Sequence, residues 1–373
     1  MSRDSVTLKD YALRMLNAPA GTHRLDDFDQ AWTKTGWGAR CRAVRTSAER
    51  LHDRFAVGPR VMSVRTLPLA SLPYPTKYAF QAAAASLAPF VQITHRCALV
   101  QFFQRGELKN LLFNPSDILG ARSTPFFAKI IAQLGALEPL LAKRFPTLEA
   151  HLDALGVRPA DIDYVAFDHF HTQDLRALLG TDDGRHTPRF PNATLLAPKS
   201  EWDDWDDLHP MQRAWFVADG RRGVRMSKVA LTDGDLMLGD GLMLLRTPGH
   251  TSGNQTLFLN TDDGIWGISE NGTCADNWSP LESKIRGVAR VARHQDLEVV
   301  LNANTPESGV EQYTSMILEK TIVSRVKAAP AFVQMFPSSE VTPSVTMPIK
   351  PTWMHKEISL GRIAKSIARS SAA

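Results

Sequence analysis

Two short runs hold the residues best suited to chemistry. The first is Asp168-His169-Phe170-His171-Thr172-Gln173-Asp174 and the second is Thr247-Pro248-Gly249-His250-Thr251-Ser252-Gly253-Asn254. Histidines two apart, just past the end of a strand, project the same way, so His169 and His171 can converge on one ion. Neutral imidazole is the commonest ligand of borderline divalent metals. Taken alone, the pair could equally be two solvated loop residues. His250 sits between Gly249 and Gly253, which allow a tight turn and a close backbone approach. Thr251 can hold the imidazole or the backbone by hydrogen bonds, and Asp168 beside His169 suits a hydrogen-bond acceptor better than a ligand. Asp174 has two compatible readings. It could take a proton from a metal-bound water, or it could cap the helix that LRALLG begins.

These runs need strands to aim them. DIDYVAF, residues 161–167, is rich in residues that favour strands and enters the first run; LMLLR precedes the second and QTLFL follows it. Asp-Gly turns at 233–234 and 240–241 punctuate the approach to the second run. CALVQFF and LLFN, around RGELKN, read as a hairpin. Helical patterns cover 125–155, where Gly156 ends the second helix, and the region around 281–294. The mixture of hairpins and strand–helix alternation predicts a layered α/β domain over 90–329. Residues 1–89 read as an extension packed on it, with a helix at Leu8 to Leu16 and a proline-punctuated extended stretch that could also roof a site. Residues 330–373 read as a tail ending in a short helix near Ile358 to Ala368.

Together the two runs resemble the metallo-β-lactamase-fold superfamily, whose members carry HxHxDH after a strand and often TPGHTPG later. FPNATLLAPKSEW and LTDGDLMLGDGLMLLRTPGH resemble the segments around those motifs, and the likeness spans about residues 95–315. The resemblance implies an αββα four-layer sandwich and a metal held by His169, His171 and His250. The positions of a second metal fall on Gln173 and Asp174, the bridging acid on Glu270 (Asp276 as a substitute), and the last histidine on Asn304. Gln is a poor ligand, so one ion is expected rather than two, with Glu270 or water completing it. The ion is expected to be Zn²⁺; Mn²⁺ or Fe²⁺ would suit an oxygen-rich second position formed by Asp174, Glu270 and Asn304. Asp174 and Glu270 are the candidate catalytic carboxylates; Asp168, Thr251, Gln173 and Asn304 are the supporting set. The activity implied is hydrolysis of an ester, lactone, thioester or amide. The alternative is a non-catalytic, ligand-binding descendant of the same fold.

Bulk properties narrow the classes. A net charge of +4 over 373 residues, with no basic stripe, argues against a nucleic-acid partner and leaves a small molecule as the expected one. Cys41, Cys97 and Cys274 are odd in number and far apart, which argues against a disulfide framework. No signal peptide and no membrane-length apolar run is read, so the expected location is the cytoplasm. A homo-oligomer stays open. The tryptophans at 202, 205 and 215 read as a packing stripe.

Overall fold

Alternation along the strands explains the architecture. In β10 (Leu242–Arg246), Leu242 and Leu244 point one way and Met243 and Leu245 the other. In β3 (Phe90–Gln104), Ala98, Val100 and Phe102 face one side and Cys97 and Leu99 the opposite side. All these residues are buried. Both faces of both strands are therefore covered, which demands two sheets packed together with helices outside each.

The computed structural model of the protein describes residues 18–135 and 143–365. The helix expected at Leu8 to Leu16 lies outside these residues, as does the middle of the helical pattern at 125–155. One sheet has six strands in the order β1 (His23–Leu25), β9 (Asp235–Gly239), β10, β11 (Gln255–Thr261), β12 (Gly264–Ser269) and β13 (Met335–Pro337). The other runs β15 (Ser359–Gly361), β2 (Ser63–Pro75), β3, β4 (Glu107–Phe113), β6 (Tyr164–Ala166), β7 (Thr194–Pro198) and β8 (Val229–Thr232). Two further strands join it: β5 (Lys143–Arg144) on β2 and β14 (Ser339–Val341) on β3. Inward-facing residues of both sheets, among them Phe102, Phe113, Leu244, Leu257 and Phe336, form the central core.

Helices α1 (Trp37–Ala56) and α7 (Gly309–Ile322) cover the outer face of the six-stranded sheet. The other outer face is covered by α3 (Leu148–Leu155), α4 (Leu175–Leu179) and α5 (Lys199–Asp204). Helix α2 (Pro125–Leu134) packs over Trp215, and α6 (Val288–Gln295) lies against the Tyr74 and Phe80 cluster. Thr147 caps α3 by accepting from the Ala150 N–H, and Gly156 ends it in the left-handed region.

Three expectations change. The proline-rich stretch is no separate appendage: it supplies β2, paired with β3 along its length. The register shifts between Pro68 and Ala70, where the missing proline N–H is accommodated in a bulge. The tail is likewise built in. It gives β13 to one sheet and β14 to the other, and the helix expected from Ile358 is the short strand β15 through Gly361, paired with β2. An exposed edge on β2 decides that segment in favour of extended chain. The first Asp-Gly turn makes no hairpin: it carries the chain from β8 to β9 in the opposite sheet, while the second joins β9 to β10.

Candidate metal centre

The fold is a four-layer αββα sandwich, and its rim, where strands of both sheets end side by side, carries the histidines. β6 lies between two parallel neighbours, β4 and β7, so its exit loop leaves at the carboxyl end of parallel strands. That loop delivers His169 and His171. The loop between β10 and β11 delivers His250 from the other sheet. Backbone and side chain bind the loops together: the Gln255 N–H donates to the Asp168 carbonyl at 2.8 Å and the Gln255 side chain to the Phe167 carbonyl at 2.8 Å.

Glu201, at the start of α5, fastens both loops. One carboxylate oxygen accepts from the Phe170 N–H at 2.8 Å and the other from the Gly253 N–H at 3.2 Å. A Cβ at Gly253 would lie 2.4 Å from the Glu201 Cβ, so glycine is required for this approach. Gly249 is equally constrained, with φ +136° and α7 backbone 2.2 Å from where a Cβ would stand. Thr172, between His171 and Gln173, takes φ +64°, an uncommon conformation for a β-branched residue. Its N–H donates to the Trp215 carbonyl at 2.7 Å.

The three imidazoles converge. Ring centroids lie 4.6 Å apart for His169 and His171, 4.4 Å for His169 and His250, and 5.1 Å for His171 and His250. One ligating atom from each lies within 4.8 Å of the others, and all three residues are buried. Hydrogen bonds set two of the tautomers. His169 Nδ1 donates to Asp168 Oδ1 at 2.8 Å, leaving Nε2 with its lone pair. Asp168 Oδ2 in turn accepts from Ser338 Oγ at 2.5 Å and Asn114 Nδ2 at 3.0 Å. Gln212 Nε2 donates to Glu307 Oε1 at 2.6 Å, and a carboxylate can only accept. The Gln212 amide oxygen therefore faces His171 Nε2, 2.6 Å away, and that nitrogen carries the proton. His171 Nδ1 is left bare, buried and without a hydrogen-bond partner, as is Nδ1 of His250.

Burial, then the neighbouring His169, holds His171 well below the usual histidine range. Burial, then His169 and His171, does the same to His250. Neutral imidazoles with orphaned nitrogens around one point fit a divalent cation. Asp168 is buried, which alone would raise its pKa, but His169 and the Ser338 and Asn114 hydrogen bonds bring it below the usual carboxylate value. Glu270 is raised well above that value by burial and by the Asp168 charge.

The triad opens on a cleft of about 80 Å³, lined on the polar side by Asp168, Gln173, Glu270 and Asn304. Gln173 Oε1 and Asn304 Oδ1 are buried without partners, and Gln173 Nε2 donates to the His171 carbonyl at 3.1 Å. Asp174 does not join them. It caps α4 and its carboxylate is taken by the Arg176 guanidinium at 2.6 and 2.9 Å. It lines no part of the cleft, so its expected roles as ligand and base are withdrawn. Thr251 serves through its backbone, its carbonyl accepting from the Gly249 N–H at 2.8 Å. Asp276 is engaged away from the cleft with Ser283 and Thr352. Trp215 is more than packing: it walls the cleft with its ring 5.8 Å from that of His171.

Asn114, Glu201, Gln212, Glu307 and Ser338 escaped the sequence reading. Glu201 alone had a signal, as an acid just after a strand in APKSEW. Gln212 gives a testable consequence. Gln212→Ala frees the His171 ring and removes its tautomer lock, so affinity for Zn²⁺, measured by competition with a chromophoric chelator, is expected to fall about 10- to 100-fold. An unchanged affinity would mean that the Gln212–Glu307 pair does not orient the ring.

No family model matches the chain. It is 30% identical over 118 residues to the N-acyl homoserine lactonase AttM of Rhizobium radiobacter, an alignment covering 29% of this chain and 40% of that protein. The chain thus spans less than half the length of the curated relatives it matches. Among solved structures, it is similar to a probable metal-dependent hydrolase from Staphylococcus aureus, at 14% identity and TM-score 0.48, covering 68% of this chain and 84% of that one. A quorum-quenching N-acyl homoserine lactone lactonase gives 17% identity and TM-score 0.42, covering 64% and 88%.

Proposed function

We propose that this protein is a metal-dependent hydrolase of carboxylic esters or lactones, with one divalent ion, Zn²⁺ in the first instance, held by His169, His171 and His250. The observation that carries the reading is the convergence of three buried imidazoles, two of them with unpartnered ring nitrogens, at the floor of an open cleft. A bound ion of this kind lowers the pKa of water and polarises a carbonyl. The chain's residues do the rest. Asp168 and Gln212 hold two rings in the tautomers required. Tyr74 and Trp215 wall the cleft. Glu270, whose side chain Ser339 holds in the cleft, is the carboxyl group we assign to carry a proton to a departing alkoxide.

Gln173 and Asn304 line the cleft where stronger ligands would be needed for a second ion, which supports one ion over two. N-acyl homoserine lactones are the first substrates to assay, given the partial similarity to AttM. In the expected result, purified protein opens a lactone or cleaves an aryl ester. Treatment with a chelator such as dipicolinate removes at least about 99% of the rate, and one equivalent of Zn²⁺ restores it. Stoichiometric metal with no turnover on any ester, lactone, thioester or amide would favour the ligand-binding alternative.

A further inference from the structure

A fourth histidine, absent from the triad, reaches the cleft. His95 lines it together with Glu270, Ser338 and Ser339. His95 on β3 stands directly opposite Ser339 on β14 in the antiparallel register. Such partners put their side chains on one face of the sheet, close enough to bond. His95 Nδ1 lies 3.2 Å from Ser339 Oγ. Ser339 also meets the Glu270 carboxyl twice, through its backbone N–H and through its hydroxyl. Imidazole, hydroxyl and carboxyl thus form one chain of hydrogen bonds along the cleft wall. The adjacent Ser338 serves a different group, donating to Asp168 at 2.5 Å.

We propose that His95 is a positioning residue for the hydrolysis: by donating from Nδ1 to Ser339 Oγ, it turns the single proton of that hydroxyl onto Glu270 and so fixes the carboxyl for the departing alkoxide. The proposal rests on the hydrolase reading above, with Glu270 as proton donor. A serine hydroxyl has one proton and could point it at either neighbour. Burial brings His95 down to about 4, so the ring is neutral at pH 7 and holds one proton. With that proton on Nδ1, the Ser339 hydroxyl can only accept from the ring and donate to Glu270. One carboxyl oxygen then takes both Ser339 donors, and the other presents its O–H to the cleft. As the ester C–O bond breaks, its electron pair stays on the alkoxide oxygen, which takes the Glu270 proton. The carboxylate left behind keeps both donors, already in place. The proton released by the attacking water restores the carboxyl. An aliphatic alkoxide needs this proton to leave; p-nitrophenolate does not.

The test compares two esters of one acid, ethyl butyrate and p-nitrophenyl butyrate, on the zinc-loaded enzyme. In His95→Leu and in Ser339→Ala the ratio of the ethyl to the p-nitrophenyl rate is expected to fall about 10- to 100-fold, a part of what a general acid contributes, and the loss lies in kcat rather than KM. The double variant is no worse than either single one, because both break the same chain. His95→Asn, whose amide N–H can stand where Nδ1–H stood, recovers most of the ratio. A readout without turnover comes from nitrogen-15 spectra of the metal-free protein labelled at histidine. The His95 ring carries its proton on Nδ1 in the wild type and in Glu270→Gln, whose amide oxygen still accepts from Ser339, and moves it towards Nε2 in Ser339→Ala. If the wild type cleaves both esters and the variants lower the two alike, or leave the ratio unchanged, the positioning role is overturned and the hydrolase reading stands. An Nδ1 proton that stays put in Ser339→Ala also overturns it. If the proton moves as described while the wild type cleaves neither ester, the chain of bonds holds and the hydrolase reading fails.

Discussion

His250→Ala yields a folded protein that no longer retains zinc, and its ester or lactone hydrolysis falls about a thousandfold. The reason lies in what the imidazole does without metal. Its Nδ1 makes no hydrogen bond, and the structural bond of this residue, from Thr305 Oγ1 to the His250 carbonyl at 2.7 Å, belongs to the backbone and survives. Truncation therefore costs packing, about 1–2 kcal/mol, but strands no buried partner. Two imidazoles remain, too few to hold the ion against water and competing chelators. The lost Lewis acid is worth several kcal/mol of transition-state stabilisation, and ~4 kcal/mol corresponds to about 10³ in rate. Two measurements check this together. Zinc added to the wild type raises Tm by mass action, whereas the same addition to the variant leaves Tm unchanged. A variant that kept the zinc-dependent rise in Tm and the activity would remove His250 from the metal site.

Glu201→Ala is expected to damage both stability and metal binding. The carboxylate is fully buried and joins the two histidine loops through the Phe170 and Gly253 N–H groups. Without it, two buried donors lose their acceptor, at about 1–3 kcal/mol each. Urea unfolding of the metal-free protein should show ~2–5 kcal/mol less stability. Zinc affinity should fall as well, because nothing then sets the distance between the loop bearing His169 and His171 and the loop bearing His250. Glu201→Gln keeps one acceptor oxygen and should fall between. Gly253→Ala, which forces the loop off the Glu201 side chain, should reproduce the affinity loss. Stability within ~0.5 kcal/mol of wild type, with unchanged affinity, would show that the loops hold their spacing without the clamp.

Local spacing made part of this site legible. His169 and His171 declare themselves by lying two residues apart past a strand of Tyr, Val and Ala, and His250 by the glycines around it. The αββα sandwich followed from the order of strands and helices together with the resemblance those motifs carry. What escaped the sequence are contacts between distant segments. Ser338 meets Asp168 across 170 residues, and Glu307 meets Gln212 across 95. No periodicity encodes such pairings; Ser338 reaches Asp168 because it joins β13 to β14 where the chain crosses from one sheet to the other. Of the two readings of Asp174, the helix cap holds and the metal role does not, for the converse reason. Motif spacing assigned it to the metal, but Arg176 two residues on and the start of α4 offer nearer partners, and local hydrogen bonding prevailed. The tail helix failed because the free edge of β2 gives Ser359 to Gly361 an extended partner that isolated helical propensity cannot match.

Zinc K-edge absorption, paired with an anomalous difference map from the zinc-loaded crystal, addresses the centre itself. One ion should appear, with nitrogen neighbours at about 2.0–2.1 Å supplied by His169, His171 and His250. An ion seated elsewhere, or bound by fewer than those three rings, would contradict the account.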